Sequence, residues 1–288
     1  MKQKTNKRQL TALASIIVLS VTMSSCSQFK QENDWTHENL SGEVKSITEV
    51  SYELIERLGI VEKVDSTQET YRVDFNELGD IVEEKVFNFD RTHFAKALYK
   101  YDDKGNLLEE ELYQADSTLS RKWVSEYDDK GNKIEEKQYA ADGTFFSKWV
   151  FKNNDRGYNI ESTLYEADGK ASTKELYKYN YKNTLINEEL YAADGTLSST
   201  KMYTYGKNKK VIEEIACEAD GTVASKKTYT YDDKGNMLEE NFYESDGTLV
   251  GKWSYQYEYD EKGNWIKSTE FLNDVPAYVL NREIEYYK

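Results

Sequence analysis

The chain is poor in residues that interrupt strands, bind metals or form disulfides. Its 288 residues include one proline, two histidines and two cysteines. His37 and His93 have no third ligand at a useful spacing, so the sequence does not predict a metal site. Cys217 is the only cysteine after Cys26, which excludes a disulfide within the folded part. Cys217 stands where other repeats carry tyrosine, so we expect it to be buried as a small apolar residue.

The sequence also lacks the motifs of common enzymes. No phosphate loop or dinucleotide fingerprint occurs, and no Cys–His arrangement marks a nucleophile. Paired glutamates such as Glu135 and Glu136 recur in most repeats, but neighbours in a strand point to opposite faces and do not form a glycosidase pair. We therefore expect no enzymatic activity and no cofactor. Calcium in the Asp-rich turns stays an alternative, although "DDKGN" lacks the ligand order of an EF-hand.

The first 25 residues have the pattern of an export signal. Four basic residues precede the apolar run "LTALASIIVLSVTM", which ends in Ser24, Ser25 and Cys26. The "MSSC" stretch resembles the bacterial lipoprotein signal, in which the cysteine becomes the lipidated first residue. This resemblance implies a lipid anchor at Cys26, and Ser27, which replaces the Asp of inner-membrane lipoproteins, favours the outer membrane. An ordinary signal peptide with an incidental cysteine is the alternative.

These features divide the chain into a signal peptide (1–25), a lipidated tether (26–40) and a repeat domain (41–288). Removing residues 1–25 removes four basic residues and no acidic ones, which leaves 34 Lys and Arg against 53 Asp and Glu. A surface this acidic repels phosphate backbones, so we expect no nucleic-acid partner. The 24 tyrosines and five tryptophans favour a folded, strand-rich protein.

One 26-residue pattern repeats along most of the chain, and "YDDKGNKIEEKQYAADGT" (127–144) is a clear copy. Its Asp-Gly glycines recur at Gly143, Gly169, Gly195, Gly221 and Gly247. A second series of turns is marked by Gly79, Gly105, Gly131, Gly157, Asn183, Lys209, Gly235 and Gly263. About eight units follow Tyr71, and the stretch "SGEVKSITEVSYE" before it matches half of a ninth.

Each unit predicts two strands and two tight turns. Asp-Gly predicts a two-residue hairpin loop, and "DDKG" predicts a four-residue loop with a left-handed glycine. These loops place Glu136 opposite both Trp123 and Trp149, and Ala140 opposite Phe145. We expect an all-β antiparallel meander of about 16–17 strands, twisted or rolled into an elongated single-domain sheet. The terminal strand, "PAYVLNREIEYYK", is predicted to cap one edge with charges.

The two faces of this sheet differ. One face collects apolar columns headed by Trp123, Tyr127, Ile134 and Phe145, and the other collects Lys and Glu. A row of glutamates interrupts the apolar face, at Glu110, Glu136, Glu188, Glu214 and Glu240. Lys201 and Lys227 are predicted to flank Glu214, which indicates cross-strand ion pairs. The alternative is that carboxylates and aromatic rings line a groove.

The "YDDKGN…Y…DGT" unit resembles the YD repeat of the RHS family over about Tyr71–Lys288, and more distantly the hairpin arrays called MORN repeats. Asn106, Asn132 and Asn236 stand where the RHS family prefers Arg. The whole chain is similar to exported YD-like lipoproteins of the Bacteroidota. The resemblance implies that the strands form a β shell, as they do in the RHS family. It does not imply a toxin role, because the chain has no room for a cargo domain.

Two functions fit these observations. The first is a non-enzymatic, lipid-anchored scaffold that presents its edges and polar face to a protein partner in the envelope. The second is a lipoprotein that binds a glycan or peptide, with Trp123, Trp149, Trp253, Trp265 and Glu136 as the platform. Simple packing within the apolar face is the alternative role for these tryptophans.

Overall fold

The computed structural model describes residues 33–57, 60–87, 93–207 and 209–288. Within these ranges one short helix, α1 (Asp34–His37), precedes eighteen strands. The strands are β1 (Val44–Arg57), β2 (Ile60–Phe75), β3 (Ile81–Phe87), β4 (His93–Tyr101), β5 (Leu107–Gln114), β6 (Leu119–Tyr127), β7 (Lys133–Ala140), β8 (Phe145–Asn153), β9 (Asn159–Glu166), β10 (Ala171–Tyr179), β11 (Leu185–Ala192), β12 (Leu197–Tyr205), β13 (Val211–Glu218), β14 (Val223–Tyr231), β15 (Met237–Glu244), β16 (Leu249–Tyr259), β17 (Trp265–Leu272) and β18 (Val275–Tyr286). The predicted all-β antiparallel meander is confirmed, but it has eighteen strands instead of about 16–17. The signal peptide and Cys26 lie outside the described residues.

The turn around Gly131 explains the Tyr-Asp-x-x-Gly-Asn part of the repeat. Asp128 N donates to Asn132 O at 2.9 Å, and Gly131 N donates to Asp128 O at 2.9 Å. The Asp128 carboxylate accepts hydrogen bonds from the backbone of Lys130 and Asn132 and from the Asn132 amide. The loop therefore has three residues, a type I turn closed by Gly131 at φ +83°. The prediction of four loop residues is wrong, because Asp128 already pairs with Asn132.

The Asp-Gly turn has the same geometry. Ala140 N donates to Thr144 O at 2.9 Å, and Gly143 takes φ +81°. The predicted two-residue loop is wrong, because Ala141 joins Asp142 and Gly143 in the loop. The register shifts accordingly, so that Phe145 lies opposite Tyr139 instead of Ala140, with their rings 6.0 Å apart. The column headed by Phe145 therefore shares the face of Tyr139 and not that of Ile134.

A β-bulge follows each Tyr-Asp turn. Ser125 lies opposite Glu136 and Trp123 opposite Gln138, so the predicted Trp123–Glu136 pair is wrong by two residues. A shift of two keeps both side chains on the predicted face. The Tyr127 hydroxyl donates to the carbonyl of Leu107 in the preceding hairpin at 2.9 Å. The same bond recurs from Tyr101, Tyr179, Tyr231 and Tyr257.

The sheet closes on itself. Each strand pairs with the next from β1 to β18, and β18 pairs back with β1, where Ile47 lies opposite Ile284. The terminal strand is therefore not the predicted edge, since it pairs on both sides. Closure into an eighteen-stranded barrel satisfies the backbone groups that a long open sheet leaves at its edges. The barrel is more specific than the predicted twisted or rolled sheet.

The two faces of the barrel wall are chemically distinct. The inner face buries Val73, Ala97 and Leu112. The outer face carries Lys and Glu, as predicted, and these side chains form ion pairs; Glu109, for example, lies 2.8 Å from Lys100 and 2.9 Å from Lys122. Cys217 also lies on the outer face and is 6% exposed, which confirms its predicted burial.

The residues before β1 cross one end of the barrel. Trp35 N donates to Gly79 O, the Asn39 amide donates to Gly235 O, and Ser41 N donates to the Asn264 side chain at 2.7 Å. Those three acceptors belong to separate Tyr-Asp turns, between β2 and β3, β14 and β15, and β16 and β17. We call this end the covered mouth. The other end, bordered by the Asp-Gly turns, is the open mouth.

Trp35 fixes the crossing segment to the inner face. Its ring packs on the cluster of Val44, Ile47, Val73, Phe75 and Ile81, and its indole N–H donates to Val44 O at 2.8 Å. The neighbouring Asp34 carboxylate accepts a hydrogen bond from Ile81 N at 2.6 Å. The segment is thus held by apolar burial and by hydrogen bonds together.

Replacing Trp35 with Ala is expected to lower the free energy of unfolding by about 2–4 kcal/mol. Removal of a large aromatic side chain costs ~3–5 kcal/mol when it is fully buried, and Trp35 is half-buried. Urea denaturation of the mature chain measures the change. Tyr181→Ala is the matched control, because that ring is 85% exposed. Equal midpoints for Trp35→Ala and the control would show that the crossing segment contributes nothing to stability.

Candidate ligand-binding site

A row of side chains, glutamate in all units but one, lies on the inner face of every second strand from β3 to β15. Glu84 lies 26 residues before Glu110 and extends the predicted row by one unit. In another unit, Ser162 stands in the place of glutamate. We call this set the inner acid row. Its members are Glu84, Glu110, Glu136, Ser162, Glu188, Glu214 and Glu240. The first four are at most 7% exposed, whereas the last three are half-buried.

Glu84 is enclosed by two tyrosines. It is 1% exposed and accepts hydrogen bonds from the hydroxyls of Tyr71 and Tyr99, the latter at 2.5 Å. Burial raises the pKa of the Glu84 carboxyl, and the two hydroxyl donors partly oppose that shift. Burial also raises the pKa values of both tyrosines. The group is therefore a structural network closed to solvent.

Glu110 lies in the same sector without such donors. It is opposite Tyr99 on one side and Trp123 on the other, and is 3% exposed. Among the described residues no side chain donates a hydrogen bond to it. Burial, followed by the charges of Glu136 and Glu84, raises the pKa of Glu110 to about 8. At neutral pH Glu110 is therefore mostly protonated in the folded protein.

Glu136 has a cationic partner. Its carboxylate lies 2.7 Å from Lys133 Nζ and 3.3 Å from the Ser125 hydroxyl. Burial alone would lower the pKa of Lys133, but the negative groups around it, Glu136 first among them, raise that pKa overall. This buried ion pair is set directly opposite Trp149, which confirms the predicted Glu136–Trp149 pairing.

The more accessible sector runs from β10 to β16. Tyr203 donates to the Glu188 carboxylate at 2.9 Å, and Lys227 lies 3.6 Å from Glu240. Glu214 lies opposite Tyr203 and Lys227, so the predicted flanking by Lys201 is wrong; Lys201 is opposite Glu188 and Ala216. Apolar side chains beside the row are more than a third exposed, at Ile186, Ile212 and Leu238. This sector combines aromatic rings, charged groups of both signs and accessible surface.

The four predicted platform tryptophans all lie on the barrel wall, but their surroundings differ. Trp123 packs on the cluster of Val86, Ala97 and Leu112. Trp253 stacks on Tyr278 with ring centroids 6.1 Å apart. Trp265 lies between the Arg282 guanidinium, 3.4 Å from its ring, and Tyr257, 5.7 Å away.

Trp149 is different. It is half-buried beside Glu136 and Leu164, and among the described residues no aromatic ring or cation stacks on its indole. Packing therefore accounts for Trp123, Trp253 and Trp265. Of the five predicted platform residues, Trp149 and Glu136 lie directly opposite each other on neighbouring strands.

Within the described ranges, no helix is long and apolar enough to span a membrane. In the same residues, no three His, Cys, Asp or Glu side chains are grouped so that they could hold a metal ion. His37 lies in α1, and the side chain of His93 is outside the described set.

No protein-family model matches this chain, and no curated protein matches its sequence. Among solved structures it is similar to a porin-like protein from Bacteroides uniformis (15% identity, TM-score 0.45) and one from Bacteroides vulgatus (12%, 0.37); each match covers 85% of this chain and 98% of the other. A putative outer membrane lipoprotein-sorting protein domain from Vibrio parahaemolyticus matches at 8% identity and TM-score 0.25, over 85% of this chain and 86% of that one. Likeness at this level assigns no function. The resemblance to YD and MORN repeats stays a prediction.

Proposed function

We propose that this protein is a non-enzymatic lipoprotein of the outer membrane, anchored at Cys26, whose barrel binds a glycan or a peptide on its inner face. The observation that carries the proposal is closure. Closure gathers the acid row, the tyrosines and Trp149 onto one concave surface. Concave, largely apolar surfaces with a few converging polar groups are the usual form of ligand sites.

The chemistry of the accessible sector, together with Trp149 on β8 at its margin, favours a polyhydroxylated or peptidic ligand. Tyrosine rings supply flat apolar surface with one polar tip, and glutamates and lysines supply acceptors and donors. Because four glutamates (Glu175, Glu188, Glu214 and Glu240) outnumber two lysines (Lys201 and Lys227) there, a strongly anionic ligand is disfavoured. Exposed Ile186, Ile212 and Leu238 add apolar surface that a ligand would cover.

Trp149→Ala is expected to weaken glycan or peptide binding at least tenfold, since a buried aromatic anchor often contributes 2 kcal/mol or more, about a thirtyfold change in affinity. Titration of the mature chain with oligosaccharide and peptide libraries, followed by intrinsic fluorescence and calorimetry, measures the affinity. Trp265→Ala is the matched control, because Arg282 and Tyr257 already cover that indole.

Binding that Trp265→Ala weakens as strongly as Trp149→Ala would move the site away from Trp149. The absence of binding by any library member would contradict the lumen proposal and leave the scaffold role as the better hypothesis.

One observation favours that scaffold role. The scaffold role was predicted from open sheet edges, and closure removes those edges. However, Leu54–Arg57 and Ile60–Lys63 pair with each other as a hairpin that extends beyond the described pairings of β1 with β18 and of β2 with β3. Ile60 is 61% exposed and Val61 46% exposed on this hairpin. An envelope protein partner would contact the protein there.

A further inference from the structure

The two mouths of the barrel differ in how tightly their turns are packed. At the covered mouth, Lys234 Nζ donates to Gly263 O at 3.3 Å, and the Arg156 guanidinium donates to Asn183 Oδ1 at 2.9 Å, so neighbouring turns are in contact. At the open mouth, nothing lies within 4 Å of a Cβ built on the turn glycines Gly143, Gly169, Gly195, Gly221 and Gly247, and at the covered mouth the same holds for Gly105. Residues 33–41 cross the covered mouth, so a ligand would reach the inner face more easily from the open mouth.

Both ends of the described chain lie at the covered mouth. Asn33 donates to Leu78 O in the turn between β2 and β3. At the other end, Tyr287 N donates to Glu43 O at 2.8 Å and the Tyr287 hydroxyl donates to Phe75 O at 2.6 Å. The chain therefore enters and leaves the barrel at the same mouth.

The length of the chain before Asn33 limits where an anchor at Cys26 can lie. Seven residue steps separate the two positions, which span at most about 25 Å when fully extended. The eight residues of β7 span about 26 Å along the strand, which is roughly 20 Å along the barrel axis at a strand tilt of about 40°, before the turns at each end are added. Only a fully extended tether that lies along the wall could therefore bring the open mouth against the membrane.

The charges of the turns point the same way. Each Asp-Gly turn carries an exposed aspartate, and the backbone and hydroxyl of the following threonine lower the pKa of most of them: Asp116, Asp142, Asp194, Asp220 and Asp246. Among the described residues only Asp168 of this series has a lysine partner, Lys170. A ring of ionised carboxylates is repelled by the negative surface of a membrane. The turns of the covered mouth are less acidic as a set: each Asp-Asp-Lys turn has two carboxylates and one lysine, and the turn between β12 and β13 adds Lys207, Lys209 and Lys210.

We infer that the barrel stands on the membrane with its covered mouth toward the lipid and its open mouth away from it, so that a ligand reaches the acid row from the side opposite the membrane. This orientation rests on the lipid anchor of the proposed function. The partner of the covered mouth is the lipid headgroup layer.

Fluorescence quenching in vesicles tests the orientation. Asp129→Cys and Ala141→Cys place a label on the first loop residue at the two ends of β7, each in a Cys217→Ser background. Lipidated, mature full-chain protein is bound to phosphatidylcholine vesicles that contain nitroxide-headgroup lipid. The label at position 129 is expected to lose several times more emission than the label at position 141.

Equal quenching, or stronger quenching at position 141, would overturn the orientation while leaving the anchor intact. Cys26→Ser separates the two failures, since it is expected to abolish vesicle binding. If Cys26→Ser binds vesicles as well as the parent protein, the anchor itself is wrong and the orientation falls with it.

Discussion

Glu110→Gln is expected to stabilise the protein by roughly 2–4 kcal/mol at pH 9 and to change its stability little at pH 5. The pKa of Glu110 is about 8 in the folded protein, against an ordinary value of 4.5. A carboxyl whose pKa is raised on folding stabilises the protein below its unfolded pKa, and that contribution is lost as the pH rises toward 8. Glutamine keeps the shape of the protonated acid at every pH. The gain falls short of the ~1.4 kcal/mol per pKa unit of full linkage, because the buried amide needs hydrogen-bond partners of its own.

Glu136→Gln is the matched variant, and we expect the opposite sign. Removing the carboxylate leaves Lys133 charged and buried without its partner, which costs about 3–5 kcal/mol. Urea denaturation of both variants and the parent chain at pH 5, 7 and 9 measures the effects. A loss of stability for Glu110→Gln at pH 9 would show that the Glu110 carboxyl is ionised and paired there.

Deletion of residues 159–184 is expected to leave a folded barrel of sixteen strands. The deletion removes β9, β10 and the following turn, and joins Tyr158 to Leu185. Leu185 is the equivalent of Asn159 one repeat later, so the repeat stays in register. Because one repeat contributes two strands, β8 and β11 still meet antiparallel, and the even count lets β18 close against β1. The N-terminal contacts at the covered mouth all lie outside the deleted unit.

Deletion of residues 275–288 removes a smaller part of the chain, yet we expect it to abolish the cooperative melting transition. Loss of β18 leaves β1 and β17 as open edges and uncovers Ile47, which packs against Ile284. Circular dichroism melts, with light scattering to detect association, compare the two deletions. A C-terminal deletion that melts at the parent midpoint would mean that closure contributes nothing. If the variant without residues 159–184 fails to fold and the C-terminal deletion does not, the barrel requires all eighteen strands.

The face to which most side chains of the wall point could be predicted, because successive residues of a strand alternate between the two faces. The even repeat length keeps every unit in the same orientation, and the two-residue error at Trp123 left its face unchanged. The one-residue error at Phe145 moved that column to the other face, because the loop length is set by backbone hydrogen bonds that many sequences satisfy. The fold class was therefore predictable, but the loop lengths were not.

The candidate site was only partly predictable. Glu84 carried a signal, since it lies one repeat before Glu110, and its tyrosine partners occupy repeat positions as well. The sequence also indicated the helix start at Asn33, because Asn followed by an acidic residue is a common N-cap, and Asn33 does cap α1. Nothing local in the sequence indicates that β18 meets β1, so closure, and with it the concave surface, could not be predicted. The distinction between Trp149 and Trp265 depends on Arg282, far along the chain.

The pairing of β1 with β18 also sets the order in which the protein can fold. Seventeen of the eighteen strand pairings join sequence neighbours and can form locally, hairpin by hairpin. The remaining one joins Val44 to Tyr286, so the strand made first waits longest for its second partner. Until the last repeat has emerged, one flank of β1 is an open template for other chains. Pairing of β1 with another chain therefore competes with closure until β18 is in place.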